Sequence, residues 1–326
     1  MPVVDAAVDS SFASWLAAYR TSALKRGVSP AALDAALSGL EPSPRVVELD
    51  RAQPGDSSNA PVRFDAYLAR RLDAARISGG SDAALRMSER LAAIEVSTGV
   101  PARIVLGIWG METNYGAITG NFDIARSIAT LAWDGRRRDL FIKELDAVVT
   151  IVDRGLASRS MLRGSWAGAM GQPQFLPSSY LAYAADGDGD GRADIWTSKA
   201  DTIASIANYL AKHGWQRGVP WGLPVTLPVQ FNRDAITNPE KPKTCIKPFE
   251  RHSRWLPAGE WKRMGVVGST PLPSDATPMT LVEPDGPGQG AYLTTANYRA
   301  IMDYNCSNFY ALSVALLGDA VALAPR

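Results

Sequence analysis

Cysteine and histidine are scarce in this chain of 326 residues, which holds two of each: Cys245, Cys306, His213 and His252. Neither cysteine has a companion ligand at metal spacing, which argues against a zinc site and against a cysteine–histidine nucleophile. Cys245 lies between prolines and Cys306 precedes a helical pattern; a disulfide in an oxidising compartment and two lone thiols both fit that text. Net charge is equally sparse. Basic residues number 34 against 33 acidic ones, leaving +1, so nothing implies steering towards nucleic acid. No apolar run approaches the roughly 18 residues of a membrane span. Met1-Pro2 leads into mixed text without the charged and apolar regions of a signal peptide. Long repeats and low-complexity tracts are absent. What is present, 46% apolar and 21% charged residues, is the composition of a globular protein able to bury a substantial core.

The stretch Pro101 to Gly116 organises the chain. Ile104, Val105, Ile108, Trp109 and Glu112 recur at steps of three and four, which places one carboxylate on the apolar stripe of a helix. A carboxyl among Ile108, Trp109 and Met111 loses hydration in its charged form, and its pKa rises towards neutrality. A general acid needs that state. The plain alternative is a buried Glu tied to a backbone amide or an arginine. Gly116 fits a helix stop, so Glu112 falls in the last turn.

Upstream, Phe12, Trp15, Leu16 and Tyr19 share a helical face, and Ser29-Pro30 opens a second helix. The text from Glu41 to Pro61 reads as an irregular connection. A long helix is predicted from Phe64, carrying Tyr67, Leu68, Leu72 and Ile77, and another from Asp82 to Ser97. Segments 123–130, 140–154 and 202–213 also repeat at helical spacing. Arg136, Arg137 and Arg138 suit either a solvated helix start or a carboxylate-bearing ligand. The run Gly164 to Pro177 is dense in small residues, which implies close backbone packing. Ser165 there lacks the G-x-S-x-G setting of a nucleophile. Gln174 can orient a substrate or bond the backbone. From Trp215 to Leu293, prolines, Asp-Gly turns and alternating apolar residues predict a small β-rich part. Segment 297–308 returns to the core, and 310–321 is predicted as a final apolar helix.

Asp186, Asp188 and Asp190 alternate with glycine, as in the first half of a calcium loop, with the Arg192 carbonyl next in order. Thr197 stands where a bidentate Glu is expected, so the nearest closing carboxylate is Asp201. Metal-free Asp-Gly turns are the alternative.

Taken together, these segments resemble the lytic murein transglycosylase B family, membrane-bound or soluble. The resemblance rests on Gly107-Ile-Trp-Gly-Met-Glu112-Thr-Asn-Tyr-Gly, on Arg137-Arg138, and on Gly164 to Tyr180. The Asp186–Asp194 loop, Asn208-Tyr209 to Trp215, and Tyr304-Asn305 with Tyr310 complete it. It implies an α+β, mainly α fold with a lysozyme-like core. Residues 1–66 with 299–326 would form a helical lobe, 67–214 the catalytic core with a calcium loop at 186–201, and 215–298 a β-rich lobe. Glu112 would be the single acid/base. Ser165, Gln174, Tyr67, Tyr209, Tyr304, Asn305 and Tyr310 would line a glycan groove, and Arg137 and Arg138 would meet the peptide stem. Asp186, Asp188, Asp190, Arg192 and Asp201 would hold a structural Ca2+, and no organic cofactor is implied.

The implied activity is cleavage between N-acetylmuramic acid and N-acetylglucosamine in peptidoglycan, with 1,6-anhydromuramyl products. A muramidase-type hydrolase and a non-catalytic peptidoglycan-binding protein are the alternatives. By the same resemblance the partners are glycan strands and cell-wall synthesis or remodelling proteins. The chain would be a monomer in a periplasmic or exported location.

Overall fold

The computed structural model describes residues 11–53 and 63–324. Its helices in chain order begin with α1 Phe12–Lys25, α2 Pro30–Leu37, α3 Pro44–Arg51, α4 Phe64–Ala69 and α5 Ala74–Arg86. Next come α6 Ser88–Thr98, α7 Ala102–Thr113, α8 Ile124–Asp134, α9 Arg138–Asp153 and α10 Pro177–Tyr183. The last are α11 Lys199–Lys212, α12 Ile246–Phe249, α13 Ala258–Arg263, α14 Ala296–Tyr304 and α15 Asn308–Leu323. The predicted mainly helical α+β class is what the structure shows. Among the described residues, no single helix is long and apolar enough to cross a membrane.

Three expectations fail locally, the first being the helix predicted over 82–97, which is split at Met87 between α5 and α6. The connection predicted as irregular contains α3, because Pro44 sits at a helix N-terminus, where its missing N–H costs nothing; residues 54–61 of that stretch lie outside the described residues. The long helix predicted from Phe64 is broken in two. Asp73 caps a fresh start by accepting from Arg76 N at 2.9 Å.

The described residues divide into two compact units, one of 11–53 and 116–205, the other of 63–115 and 206–324. This differs from the three-part division the resemblance implies, because the first helices and α15 fall in different units.

In the first unit, α9 packs against α8, α2 and α10, burying Phe141, Leu145, Val148 and Ile151. Its buried Glu144 accepts from Ser178 N at 2.9 Å and Ser178 Oγ at 2.7 Å. A carboxylate therefore meets the free N–H groups at the start of α10. A two-stranded ribbon pairs β1 Phe122–Asp123 with β2 Arg163–Gly164.

In the second unit, α7 packs against α15 and α5. The α7–α15 approach is backbone-close. A Cβ at Gly107 would lie 2.3 Å from the Val314 carbonyl oxygen, and one at Gly318 would lie 2.4 Å from that of Arg103. Only hydrogen at both positions permits this separation. The Arg103–Asp319 pair at 2.5 Å and the Trp221 indole N–H on Asp319 at 3.0 Å add direction to the apolar contact. The β-rich part is a five-stranded antiparallel sheet. Its strands are β3 Gly222–Thr226, β4 Leu256–Pro257, β5 Val267–Gly268, β6 Pro278–Val282 and β7 Ala291–Thr294, in the order β4-β6-β7-β3-β5. Its core holds Leu223, Trp261, Met279, Leu281 and Leu293.

Candidate active site

Glu112 occupies the last turn of α7, as the periodicity predicted, above the buried Ile104, Val105, Ile108 and Trp109. The helix stops one residue later. Asn114 and Tyr115 both take left-handed backbone angles, φ 49° and 59°, a conformation uncommon for residues with side chains. The Tyr115 ring meets Trp109 edge-on at 5.7 Å.

The Glu112 side chain is only partly exposed. Desolvation pushes its pKa up to about 7, opposed by a hydrogen bond from Tyr310 and by the charge of Arg71. The Tyr310 hydroxyl, from the first turn of α15, donates to Glu112 Oε1 at 2.5 Å. Burial holds the Tyr310 and Tyr304 phenols well above their ordinary value, so both stay protonated. The plain alternative of a structural Glu bonded to a backbone amide or an arginine does not describe this carboxyl: its hydrogen-bond donor is a phenol.

The second unit also holds Tyr67, Tyr209, Tyr304 and Asn305, of which Tyr304 faces the acid. Tyr67, on α4, lies 5.6 Å from the Phe309 ring. Tyr209, on α11, donates to the Asp303 carbonyl at 2.7 Å and packs on Tyr304 at 4.7 Å and on His213 at 4.1 Å. Tyr304 closes α14, and the exposed Asn305 caps it. Arg71 is the residue that sequence reading missed. It stands 5.1 Å over the Tyr67 ring, and its only sequence trace is a spacing of four from Tyr67.

The first unit holds the remaining expected residues. Ser165 Oγ accepts from Ala169 N at 3.1 Å within a tight turn. Gln174, itself left-handed at φ 53°, donates its amide to the carbonyls of Gly171 at 2.9 Å and Thr119 at 3.1 Å. The arginine cluster is anchored rather than merely solvated. Arg136 grips the buried Asp50 through two 2.6 Å bonds, and Arg137 adds a third at 2.8 Å. Those hydrogen bonds hold Asp50 below the usual carboxylate range. Arg137 also covers the Phe141 ring at 5.0 Å, and Arg138 donates to the Trp133 carbonyl at 3.2 Å.

In the Asp-Gly loop, the ligand oxygens of Asp186, Asp188 and Asp190 lie within 4.8 Å of one another, all exposed. Oxygen donors at this spacing fit a hard divalent cation. Arg192 N donates to Asp190 at 2.8 Å. Asp201 is fully buried. Its two oxygens accept from Gly187 N at 2.8 Å and Asp194 N at 2.7 Å, so it ties the loop's backbone.

Cys245 and Cys306 form a disulfide with Cα atoms 5.6 Å apart, which resolves the choice the sequence left open.

The chain is similar to several known proteins. The structure superimposes on a crystal structure of SltB3 from Pseudomonas aeruginosa in complex with NAG-anhNAM-pentapeptide (TM-score 0.85, 39% identity), covering 97% of this chain and 80% of that one. It also matches Escherichia coli lytic transglycosylase Slt35 in complex with calcium (TM-score 0.76, 27% identity), covering 99% and 96%. In sequence it is 34% identical over 227 residues to membrane-bound lytic murein transglycosylase B of Escherichia coli (strain K12). That alignment takes in 69% of this chain and 58% of the relative's length. The transglycosylase SLT domain pattern matches residues 11–319, and the chain belongs to that family.

Proposed function

We propose that this protein is a peptidoglycan lytic transglycosylase in which Glu112 serves in turn as acid and base. The observation that carries the proposal is a carboxyl raised to about 7 with a phenol donor 2.5 Å away. Such a group holds a proton near neutrality and can take one back once it has given it up.

Two-carboxylate glycosidases use the second acid to attack or to activate water. One acid suffices when the sugar supplies the nucleophile. Protonated Glu112 gives its proton to the glycosidic oxygen between N-acetylmuramic acid and N-acetylglucosamine, and the bond from that oxygen to the muramyl anomeric carbon breaks. The muramyl N-acetyl oxygen stabilises that carbon. Glu112, now a carboxylate, removes the proton of the same sugar's C6 hydroxyl, whose oxygen bonds the anomeric carbon and closes an anhydro ring. Water is neither consumed nor released. Intramolecular attack benefits from high effective molarity, and well-matched acid–base catalysis contributes about a hundred- to ten-thousandfold. SltB3 forms crystals with both NAG-NAM-pentapeptide and NAG-anhNAM-pentapeptide, the chemical classes of such a substrate and product.

Tyr67, Tyr209, Tyr304, Asn305 and Tyr310 are proposed glycan contacts, as are Ser165, through the muramyl amide, and Gln174. Arg137 and Arg138 are proposed to meet the peptide stem; both keep guanidinium N–H groups beyond the single bonds that anchor them. Asp186, Asp188 and Asp190, with the Arg192 carbonyl, would hold a structural Ca2+, by analogy with the calcium complex of Slt35. The bound ion would order the loop and take no part in the chemistry. Asp201 would support the loop from behind. Action on the cell wall implies a periplasmic or exported location, with which the disulfide agrees.

Mass spectrometry of digested sacculi tests the reaction. Muropeptides one water lighter than hydrolysed ones are expected, and Glu112→Gln abolishes them. Ordinary reducing ends would make the protein a muramidase. Undiminished release by the variant would remove Glu112 from the chemistry.

A further inference from the structure

Glu112 and Tyr310 meet across 198 residues of sequence, so their alignment depends on how α15 is set. Apolar burial alone does this poorly. Ala311, Leu312, Val314, Ala315 and Leu317 are all buried, and such contacts resist separation more than rotation. Direction has to come from polar or covalent groups: Asp319 supplies them towards the end of the helix, and a second set, nearer Tyr310, gathers at its start.

Two anchors run from segment 245–252 to the corner between α14 and α15, and a third runs to α14 itself. The disulfide joins Cys245 to Cys306. Asn308 donates to the Pro248 carbonyl at 2.8 Å. Its amide oxygen lies 2.8 Å from His252 Nε2 and accepts from the Tyr298 hydroxyl at 3.1 Å. Since that oxygen can only accept, His252 carries its proton on Nε2. Its Nδ1 faces Thr280 Oγ1 at 3.2 Å, which contacts Thr294 Oγ1 at 2.9 Å. The line therefore passes from strands β6 and β7 through His252 to Asn308. The third anchor is Arg299 of α14, whose guanidinium lies 3.9 Å from the Phe249 ring centroid. Cys245 is itself left-handed, φ 48°, a costly backbone state kept only where the surroundings impose it. Immediately after Cys306, Ser307 caps α15 by accepting from Tyr310 N at 3.3 Å.

We infer that segment 245–252 is a clamp for the acid: by fixing the 305–308 corner it aims the Tyr310 hydroxyl at Glu112. Cys245, Cys306, His252 and Asn308 are positioning residues, with no contact to substrate required of them. The groups facing Glu112 are Tyr310, Tyr304 and Arg71, and those facing Tyr310 also include Tyr67. A loosened corner displaces the first of these. Since the Tyr310 bond favours the carboxylate, its weakening raises the pH at which Glu112 ionises.

This inference rests on Glu112 being the catalytic acid, so the test includes a readout independent of turnover. The carboxyl carbon of Glu112 is titrated by NMR in protein labelled with carbon-13 at glutamate, with the resonance assigned through Glu112→Gln. Oxidised wild type is compared with the Cys245→Ser/Cys306→Ser variant and with wild type held in dithiothreitol, which needs no sequence change. The midpoint is expected to rise by about half a pH unit or more, a threefold or larger change in proton affinity. On a defined glycan fragment, kcat should fall with KM nearly unchanged. In a Tyr310→Phe background, removing the disulfide should shift the midpoint no further, the signature of two groups acting as one. A lower melting temperature with midpoint and kcat unmoved would reduce the clamp to a staple, and additive shifts would equally overturn it. If Glu112→Gln kept its activity, the proposed function would fall, and the midpoint would still report on the clamp.

Discussion

Replacing Glu112 with Gln should stabilise the protein in a way that depends on pH. The carboxyl ordinarily titrates at 4.5 and here at about 7. A folded-state pKa above the unfolded one means that protonation favours folding. The stability it brings is complete below pH 4.5 and is lost as pH rises to about 7. At ~1.4 kcal/mol per pH unit the loss is about 3 kcal/mol. Partial exposure of the side chain trims this to about 2 kcal/mol. Gln does not ionise, can still accept from the Tyr310 hydroxyl, and escapes the loss. Thermal melts of wild type and variant at half-unit steps from pH 4 to 8 measure the difference. The variant's advantage should grow between pH 4.5 and 7 and then level off, reaching about 4–8 °C at roughly 2–4 °C per kcal/mol. A difference constant across that range would show that the carboxyl is not held in a dry setting, and one that shrinks with pH would reverse the sign of the reasoning.

Other outcomes follow from the same structure. Tyr310→Phe removes a bond to a charged acceptor worth about 1.5–3 kcal/mol, so the alkaline limb of kcat/KM should move upward by about one to two pH units. A limb that stays in place would exclude Tyr310 as the group tuning the acid. Gly107→Ala puts a methyl group against the Val314 carbonyl; a loss of about 1–3 kcal/mol in chemical denaturation is expected, and an unchanged midpoint would mean the helices have room to part. Calcium should raise the melting temperature, by up to about 2.7 kcal/mol of stability at a hundredfold excess over Kd. Asp188→Asn should blunt that response, and melting indifferent to both calcium and chelator would leave the loop as a set of Asp-Gly turns.

What the sequence made legible was local. Glu112 on the stripe of α7 could be read because helical period and side-chain polarity are properties of neighbouring residues, and the same holds for the alternation that marks the sheet. Its partners could not be read this way. Tyr310 lies 198 positions away, and Arg71 looks like any surface arginine until α4 and α5 are seen to break apart. Prolines misled as breakers in 41–53, where Pro44 starts a helix. The arginine cluster could be weighed only once Asp50, 87 positions before Arg137, was found buried beneath it. The cysteines, 61 residues apart, carry no spacing rule that tells a bridge from two thiols.

The long reach between Glu112 and Tyr310 bears on when the carboxyl acquires its dry setting. While it is being made, the nascent chain presents Glu112 as an ordinary wet carboxylate, ionised at neutral pH and unable to donate. Only after the segment that forms α15 has emerged and docked is that side chain stripped of solvent. On the proposed function, a chain that lacks the α15 segment should therefore be inactive.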